Sequence, residues 1–400
     1  MPVSDIPNRV EQVARDLRAE SRDPLCAYIY DLPALRTHIA RIIQALPDNC
    51  DMFYAVKANP TLPVLQTLAP RVHGFEVASG GELDWVRTHF PTIPVIFGGP
   101  GKLESELDDA LARNVEVIHV ESLLELRRLC TLAERRNHTQ DILLRINLEL
   151  DTAPSTRLTM GGLPTPFGME EGCIDEALRI LVQQKRIRLR GFHFHLLSHQ
   201  LDAQRHLDLI DRYLATVQRW EQEFGLTIDQ INVGGGIGIN YLEPSHQFDW
   251  EGFTGGLADV LARYQHRPWR IRFECGRALT AACGYYVAEV LDIKACGEEW
   301  FAICRGGTHH FRTPAAQSHN HPFQILKTGD NQRDEPAVAK QSITLVGQLC
   351  TPKDVFARQV PIPSLSVGDL VTFEYAGAYA WNISHQQFLM HPAPQEVFIE

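Results

Sequence analysis

The chain has 400 residues, 44% of them hydrophobic, which is enough for two domains or for one large barrel with an appendage. Its 38 basic and 49 acidic side chains give a formal net charge of −11, which argues against a nucleic-acid or anionic-membrane partner. No stretch has the length and apolarity of a transmembrane helix, and residues 1–22 are too polar for a signal peptide, so we expect a cytoplasmic protein.

An N-terminal helix and a strand are predicted at residues 5–21 and 26–30, and Asp31 can cap a helix that runs to about residue 46. Eight apolar, β-rich runs then alternate with segments of helical periodicity. The runs lie near residues 51–57, 72–78, 94–98, 115–120, 142–147, 190–196, 228–233 and 269–275. The helical segments include residues 81–90, 103–113, 123–137, 173–184 and 203–224. This alternation predicts an α/β fold, a (β/α)8 TIM-like barrel over residues 33–280.

The pattern changes at about residue 281, after which strands follow one another without helices. Predicted strands cover residues 285–293, 300–304, 342–347 and 370–375, and the last of them follows a turn at residues 366–369. Residues 305–340 are rich in His, Asn, Pro and Asp, which predicts loops. We therefore expect a second, all-β domain over residues 281–400, completed by the N-terminal segment 1–32.

Polar residues and one run of glycines follow the predicted barrel strands at the points where the strands end. They are Lys57, Glu76, Ser79, Glu121, Ser122, Arg145, Asn147, His193, His195, Ser198, Gly234, Gly235, Gly236, Glu274 and Arg277. Each taken singly has a plain interpretation, such as a core histidine or a tight glycine turn. Because the active sites of such barrels lie at the C-terminal ends of the strands, their coincidence on one rim predicts the active site there.

Lys57 ends the first apolar run, where an unpaired buried ammonium would be costly. A lysine in that place is salt-bridged, deprotonated, used covalently as a Schiff base, or reaches solvent from the strand end. The glycines 234–236, with an arginine and a serine nearby, favour a bound phosphate, since barrels commonly hold phosphates after strands seven and eight. Lysine and phosphate site together predict pyridoxal 5′-phosphate.

Glu274 bears on the reaction type. A carboxylate that faces the pyridine nitrogen keeps it protonated, which strengthens the ring as an electron acceptor and favours decarboxylation. A racemase of the same architecture is expected to place an arginine there, so racemisation is the least favoured activity.

The run of glycines at residues 234–238 also has the look of a dinucleotide-binding fingerprint. That motif opens near the first strand of a βαβ unit, whereas this run follows the seventh strand of a barrel, so we reject a dinucleotide site. The nine cysteines are scattered without a CxxC pair, so neither a metal site nor a disulfide framework is indicated.

Seven motifs resemble the fold-type III pyridoxal-phosphate-dependent decarboxylases, the group that includes the ornithine and diaminopimelate decarboxylases. They are FYAVKAN at 53–59, FEVASGGEL at 75–83, GFHFHLLS at 191–198, VGGGIG at 233–238, FECGR at 273–277, GQLCTPKDVF at 347–356 and YAGAYAW at 375–381. They span nearly the whole chain in the family's order. The resemblance implies an alanine racemase-like barrel and an obligate homodimer with active sites at its interface.

The resemblance also implies roles for individual residues. Lys57 would bind the cofactor covalently, His195 would stack on its pyridine ring, and Glu274 would pair with the ring nitrogen. The phosphate and its surroundings would be contacted by Ser198, Gly234, Gly235, Gly236, Gly276, Arg277 and Tyr379. Cys350 would reach the site from the other subunit as the acid that reprotonates Cα. Glu76, Arg145 and His193 suit either core support or cofactor contact.

The residues after Cys350 bear on the substrate. Relatives that decarboxylate diaminopimelate or ornithine typically carry an acidic residue there for a distal ammonium, whereas this chain has Thr351, Pro352 and Lys353. Further possible partners for anions are Arg312, His309, His310, His319 and His321. We therefore expect a small-molecule polycarboxylate substrate, held by Arg312, His309, His310, Lys353 and Thr351. Each histidine taken singly is equally well explained as a solvated loop residue.

A narrower resemblance comes from RGGTHHFR at 305–312, CTPKDVFAR at 350–358 and AGAYAWNISH at 376–385, which look like the staphyloferrin B-type siderophore decarboxylases. It implies decarboxylation of citryl-L-2,3-diaminopropionate to citryl-diaminoethane. A diaminopimelate or carboxy-polyamine decarboxylase stays open as an alternative, although Lys353 speaks against it. A non-catalytic protein that binds the cofactor is a further alternative, which the C-terminal β domain disfavours.

Overall fold

The computed structural model describes residues 6–149, 162, 164–329 and 336–400. Contacts divide the chain into two compact units. One, the barrel unit, comprises His38–Gly238 and Phe248–Gly276. The other, the β unit, comprises Met1–Thr37, Ile239–Gln247 and Arg277–Glu400. The predicted helix start at residue 5, and residues 330–335 of the predicted loop, lie outside the described residues.

The chain begins with helix α1 (Asn8–Glu20), strand β1 (Cys26–Asp31) and helix α2 (Leu32–Ala45). Asp31 caps α2, because its side-chain Oδ1 accepts a hydrogen bond of 3.0 Å from the backbone N–H of Ala34. The predicted cap is confirmed.

Eight parallel strands in the described residues close into a barrel. They are β2 (Cys50–Ala55), β3 (Gly74–Val77), β4 (Val95–Phe97), β5 (Val117–Val120), β6 (Gln140–Asn147), β8 (Ile187–His193), β9 (Gln230–Asn232) and β10 (Arg270–Cys275), and the two-residue β7 (Met169–Glu170) pairs with β6. The barrel closes because β10 pairs with β2 and β5 pairs with β6. The helices of this unit after α2 are α3 (Leu62–Leu68), α4 (Gly80–His89), α5 (Glu104–Ala112), α6 (Leu123–Arg136), α7 (Ile174–Val182), α8 (Ala203–Phe224) and α9 (Trp250–Ala262). The predicted barrel is confirmed.

The barrel strands are hydrophobic along nearly their whole length because both of their faces are covered. A cluster of buried side chains, Phe53, Ile96, Val117 and Leu143, joins four strands. Full burial of such side chains contributes roughly 1.5–3 kcal/mol each. This packing fixes the strand ends on which the polar residues stand.

The β unit contains the remaining strands and two short helices. They are α10 (Arg277–Thr280), β11 (Gly284–Cys296), β12 (Glu299–Cys304), α11 (Thr313–Gln317), β13 (Phe323–Leu326), β14 (Ala337–Val346), β15 (Val355–Ser366), β16 (Leu370–Phe373) and β17 (Gln395–Ile399). The strand order is β13-β16-β11-β12-β14-β15. Strand β1 pairs antiparallel with β11 and parallel with β17, so the N-terminal strand belongs to this sheet.

Two expectations about this unit are wrong. Residues 305–340 are not loops alone, since they contain α11, β13 and the start of β14. Strand β15 was not predicted, because Pro361 and Pro363 lie within it. Prolines are tolerated there because β15 is the last strand in the order. One side of an edge strand has no neighbouring strand, so the N–H groups on that side, which proline lacks, are not required for pairing.

The longest helix in the described ranges, α8, is amphipathic, and none of the described helices combines the length and the apolarity that a membrane crossing requires.

Candidate active site

Lys57 lies just beyond the first barrel strand. Strand β2 ends at Ala55, and a single 3-10 turn, Val56–Ala58, carries the lysine. Its Nζ lies 2.5 Å from Oε2 of Glu76, whose side chain is buried, while the lysine side chain stays 44% exposed. Lys57 is therefore salt-bridged and open to the rim, and Glu76, whose role the sequence left open, is its partner.

Gly276 explains how closely this turn is packed. A Cβ built at residue 276 would lie 2.7 Å from Cβ of Ala58 and 3.4 Å from Cβ of Ala55. Any side chain there would displace the turn that carries Lys57. Gly276 thus holds the lysine in place through close packing after β10.

Glu274 stands on β10 among two histidines and an asparagine. Asn232 Nδ2 donates a hydrogen bond of 2.8 Å to its Oε1. His119 Nδ1 lies 3.5 Å from Oε1, and His193 Nε2 lies 3.6 Å from Oε2. Burial, reinforced by the charge of Glu76, raises the pKa of Glu274 to about 8. The carboxyl group therefore keeps its proton at neutral pH.

The two histidines form a buried pair whose ring centroids lie 4.0 Å apart. Burial lowers the pKa of both His119 and His193 well below the usual range, so both rings are neutral. His193 was recognised from the sequence without a definite role, and it now stands beside Glu274. His119 was missed, although a histidine inside the apolar run Val117–Val120 is an unusual residue that could have drawn attention.

His195 and Ser198 follow β8. The backbone N–H of Gly235 donates to His195 Nδ1 at 3.3 Å, and His195 Nε2 lies 3.4 Å from Ser198 Oγ. Burial, with the nearby charges of Arg145 and Lys57, lowers the pKa of His195 to about 3. The ring is therefore neutral and partly open, as a group that stacks on a cofactor must be.

The three glycines after β9 leave room that side chains would fill. Gly234 and Gly236 have φ of +70° and +84°, and a Cβ at Gly235 would lie 2.2 Å from the carbonyl oxygen of Glu274. The structure does not leave all three N–H groups open to a phosphate. Gly234 N–H donates to Asn232 Oδ1 at 2.8 Å and Gly235 N–H donates to His195. Of these three N–H groups, that of Gly236 alone donates no hydrogen bond within the described residues.

Arg145, the third residue without an assigned role, supports the core of the site. Its Nη1 lies 2.9 Å from Oε1 of Glu121, and both side chains are buried. Glu121 also accepts hydrogen bonds from the backbone N–H groups of Gly99 and Gly168, at 2.9 and 3.1 Å. The pair ties three strand-end loops together.

In the β unit, Arg277 is held between two aromatic rings. Its guanidinium carbon lies 4.4 Å from the ring centroid of Tyr379 and 5.9 Å from that of Tyr241. Its Nη1 also donates to the hydroxyl of Tyr241 at 2.7 Å. The structure thus brings together Arg277 and Tyr379, which the sequence placed at the cofactor.

A cavity of about 1000 Å³ lies in the β unit. It brings together three predicted substrate residues, Arg312, Thr351 and Lys353. Arg358, His319 and His385 line it as well, and its described lining contains no aspartate or glutamate. Arg358 and His385 were missed because only the folded chain brings them beside the others. The described lining of the cavity is therefore cationic, a chemistry that suits an anion.

The structure contradicts the assignment of His309 and His310 to the substrate. Both are buried, 0% and 1% exposed, and neither lines the cavity. His310 Nε2 lies 3.0 Å from the carbonyl oxygen of Pro392, and its Nδ1 lies 3.3 Å from Cys26 Sγ. Burial lowers the pKa to about 4 for His309 and about 3 for His310, so neither ring carries a charge for an anion. Cys350, by contrast, is exposed.

The barrel residues fit pyridoxal 5′-phosphate. They offer an exposed lysine amine, a neutral imidazole, a carboxyl group that keeps its proton, and a glycine cradle that a Cβ would fill. This set matches the aldehyde, the aromatic ring, the pyridine nitrogen and the phosphate of that cofactor.

Comparison with known proteins agrees with this chemistry. Residues 32–281 match a family model described as the pyridoxal binding domain of pyridoxal-dependent decarboxylase. The chain is 44% identical over 392 residues, 98% of each chain, to 2-[(L-alanin-3-ylcarbamoyl)methyl]-2-hydroxybutanedioate decarboxylase of Staphylococcus aureus. It is 30% identical over 381 residues, 92% of this chain and 87% of the other, to L-glutamyl-[BtrI acyl-carrier protein] decarboxylase of Niallia circulans.

Among solved structures, a mutant diaminopimelate decarboxylase from Helicobacter pylori in complex with L-lysine is similar, with a TM-score of 0.84 and 25% identity. The match covers 97% of this chain and 94% of that one.

Proposed function

The chain belongs to the family of pyridoxal-dependent decarboxylases, and from this premise we propose that it removes the α-carboxylate of citryl-L-2,3-diaminopropionate. The product is citryl-diaminoethane, an intermediate of a carboxylate siderophore of the staphyloferrin B type. The name of the Staphylococcus aureus relative describes the same compound, an amide that joins citrate to L-2,3-diaminopropionate. The relative's substrate carries two carboxylates on its citryl end besides the α-carboxylate.

The observation that carries this proposal is the cationic cavity of the β unit. Arg312, Lys353 and Arg358 line it, and none of them forms an ion pair with the described residues. A cavity for a cationic amine would need a carboxylate, and the described lining holds none. Guanidinium and ammonium groups donate strong hydrogen bonds to carboxylates, so the cavity suits the citryl end of the substrate.

Pyridoxal 5′-phosphate, when bound, supplies an aldehyde for the substrate amine and a ring that accepts the electron pair left by departing carbon dioxide. Lys57 would hold it covalently, with His195 against the ring. Ser198, Gly236, Arg277 and Tyr379 would hold the phosphate, and Gly234, Gly235 and Gly276 would shape the space around it. Glu274 would share its proton with the ring nitrogen.

Cys350 would deliver the proton to Cα of the product. The thiol is exposed, as a group must be that reaches a site from another subunit. We infer a homodimer on this ground and on the apolar side chains exposed in the same unit, Ile383, Phe388, Leu389 and Met390.

The test combines a spectrum with a substrate panel. The purified protein should show a visible absorbance band that borohydride removes, with the reduced cofactor attached to Lys57 in a peptide map. It should release carbon dioxide from citryl-L-2,3-diaminopropionate faster than from diaminopimelate. A coloured protein that prefers diaminopimelate would keep the chemistry and refute the substrate, and a protein that binds no cofactor would refute both.

A further inference from the structure

Asn232, the last residue of β9, links the glycine cradle to Glu274. Its side-chain oxygen accepts the N–H of Gly234 at 2.8 Å, so its amide nitrogen faces the other way. That nitrogen donates to Oε1 of Glu274 at 2.8 Å and lies 3.5 Å from Nε2 of His119. Asn232 is 0% exposed, so no water competes for these contacts. The orientation of the amide is therefore fixed.

This orientation determines which nitrogen of His119 carries the proton. The amide nitrogen of Asn232 can only donate, so Nε2 of His119 must accept. The neutral ring has one N–H, which then lies on Nδ1. His119 Nδ1 faces Oε1 of Glu274 at 3.5 Å, and the ring is 0% exposed.

Oε1 of Glu274 consequently accepts a hydrogen bond from Asn232, and Nδ1 of His119 lies 3.5 Å away without a hydrogen-bond partner in the described residues, so a proton on Nδ1 can point only toward Oε1. This oxygen is therefore poorly suited to hold a proton of its own. Oε2 faces Nε2 of His193 at 3.6 Å, and neither ring nitrogen of His193 has a hydrogen-bond partner in the described residues. An imidazole nitrogen can accept a hydrogen bond from a protonated carboxyl oxygen. The two oxygens of Glu274 are thus unequal.

We propose that Asn232 and His119 are positioning residues, which keep Oε1 of Glu274 an acceptor and direct the proton of this carboxyl group to Oε2. The inference rests on the proposed function only in that Glu274 serves the ring nitrogen of the cofactor. With Oε1 occupied, one oxygen alone carries the proton that the ring nitrogen shares. Gly234 contributes to this arrangement because its N–H donates to Asn232 and orients the amide. The same hydrogen bond explains why this N–H is not available to a phosphate.

The first test reads the tautomer in the protein without cofactor or substrate. Nitrogen-15 NMR of histidine-labelled apoprotein, with a chelator present, should show one buried histidine protonated at Nδ1 whose signals vanish in His119→Gln. The matched control His206→Gln changes a buried histidine elsewhere in the barrel unit and should leave these signals in place. A proton on Nε2 of His119 would overturn the proposal. Loss of the tautomer signals on addition of zinc would also overturn it, because His119, His193 and Glu274 would then form a metal site.

The second test removes the donor. Asn232→Asp keeps the size of the side chain but cannot donate to His119, so the ratio of the Nδ1 to the Nε2 tautomer should fall about fivefold, as expected for one lost hydrogen bond. An unchanged ratio would refute the role of Asn232. These spectra do not depend on turnover. If the protein decarboxylates the citryl substrate but His119 has the other tautomer, this inference alone is refuted. The expected tautomer without any decarboxylation refutes the proposed function alone.

Discussion

The strand ends of the barrel unit and the cavity of the β unit treat charge in opposite ways. In the barrel, Lys57 lies against Glu76 and Arg145 lies against Glu121. In the β unit, Arg312, Lys353 and Arg358 share one cavity without an ion pair to the described residues. Paired charges hold a fixed geometry, whereas a group of unpaired like charges is stabilised by an anion from outside. We therefore expect the barrel residues to perform the chemistry and the cavity to select the ligand.

The largest effect is expected for Lys57→Ala, which removes the reactive amine of the barrel and with it one side of this contrast. We expect turnover to be abolished and the visible band to be lost, because Lys57 carries the amine that would hold the cofactor covalently. Absorbance spectra and carbon dioxide release measure both. The exposed Lys185→Ala is the control and should keep colour and activity. A Lys57→Ala protein that still turns over would refute the assignment.

Cys350→Ala tests whether the β unit also takes part in the chemistry. We expect the cofactor band to stay, with a loss of product formation of about 10²-fold or a change in the site or face of protonation, since a positioned general acid contributes that much. Product analysis in deuterated water measures the loss and the stereochemistry together. Cys296→Ala removes another exposed thiol of the same unit and serves as the control. Full activity with unchanged product would contradict the role of Cys350.

Arg358→Gln and Lys353→Gln sharpen the contrast, because they change the cavity and leave the barrel intact. Each should lower kcat/KM for the citryl substrate about tenfold, the effect of one charge-assisted hydrogen bond. The visible spectrum should not change, and kcat/KM for diaminopimelate should not fall. Lys294→Gln, an exposed lysine on β11, is the control. An equal loss for both substrates would show that the cavity does not select the anion.

The smallest effect concerns the buried carboxyl group of the barrel. The folded protein raises the pKa of Glu274 to about 8 from 4.5. A group with a raised folded pKa stabilises below its unfolded pKa, and this contribution is lost as the pH rises through the folded value. Glu274→Gln does not titrate, so its melting temperature relative to that of the native apoprotein should increase by several degrees between pH 5 and pH 8. Calorimetry that shows a pH-independent difference would contradict the raised pKa, and the exposed Glu298→Gln controls for the loss of a charge.

The sequence predicted the barrel because each strand is a compact apolar run, a signal that needs no knowledge of distant residues. It also predicted the rim, because polar residues that end such runs stand at the same edge of the barrel. Lys57 and Glu274 were found in this way. Strand β15 escaped because its two prolines are tolerated only at a sheet edge, and edges are set by the whole topology.

Contacts between distant parts of the chain could not be predicted. The use of the Gly234 N–H by Asn232, and the place of His119 beside Glu274, depend on which strands become neighbours. The same holds for Arg358, which joins the cavity from β15. His309 and His310 were misjudged because a histidine-rich segment suggests a polar surface, whereas here both rings pack inside the sheet unit.

The pairing of strand β1 with strands from the C-terminal part of the chain affects folding during synthesis. Ala27 pairs with Val287 on β11 and with Gln395 on β17, partners that are synthesised hundreds of residues later. At the usual rates of translation, of about 5–20 residues per second, β1 waits for tens of seconds before its sheet can form. The last barrel strand ends at Cys275 and β17 begins at Gln395, so on the ribosome the barrel can close while β1 still lacks its partner β17. Chaperone capture during synthesis would therefore centre on the N-terminal strand.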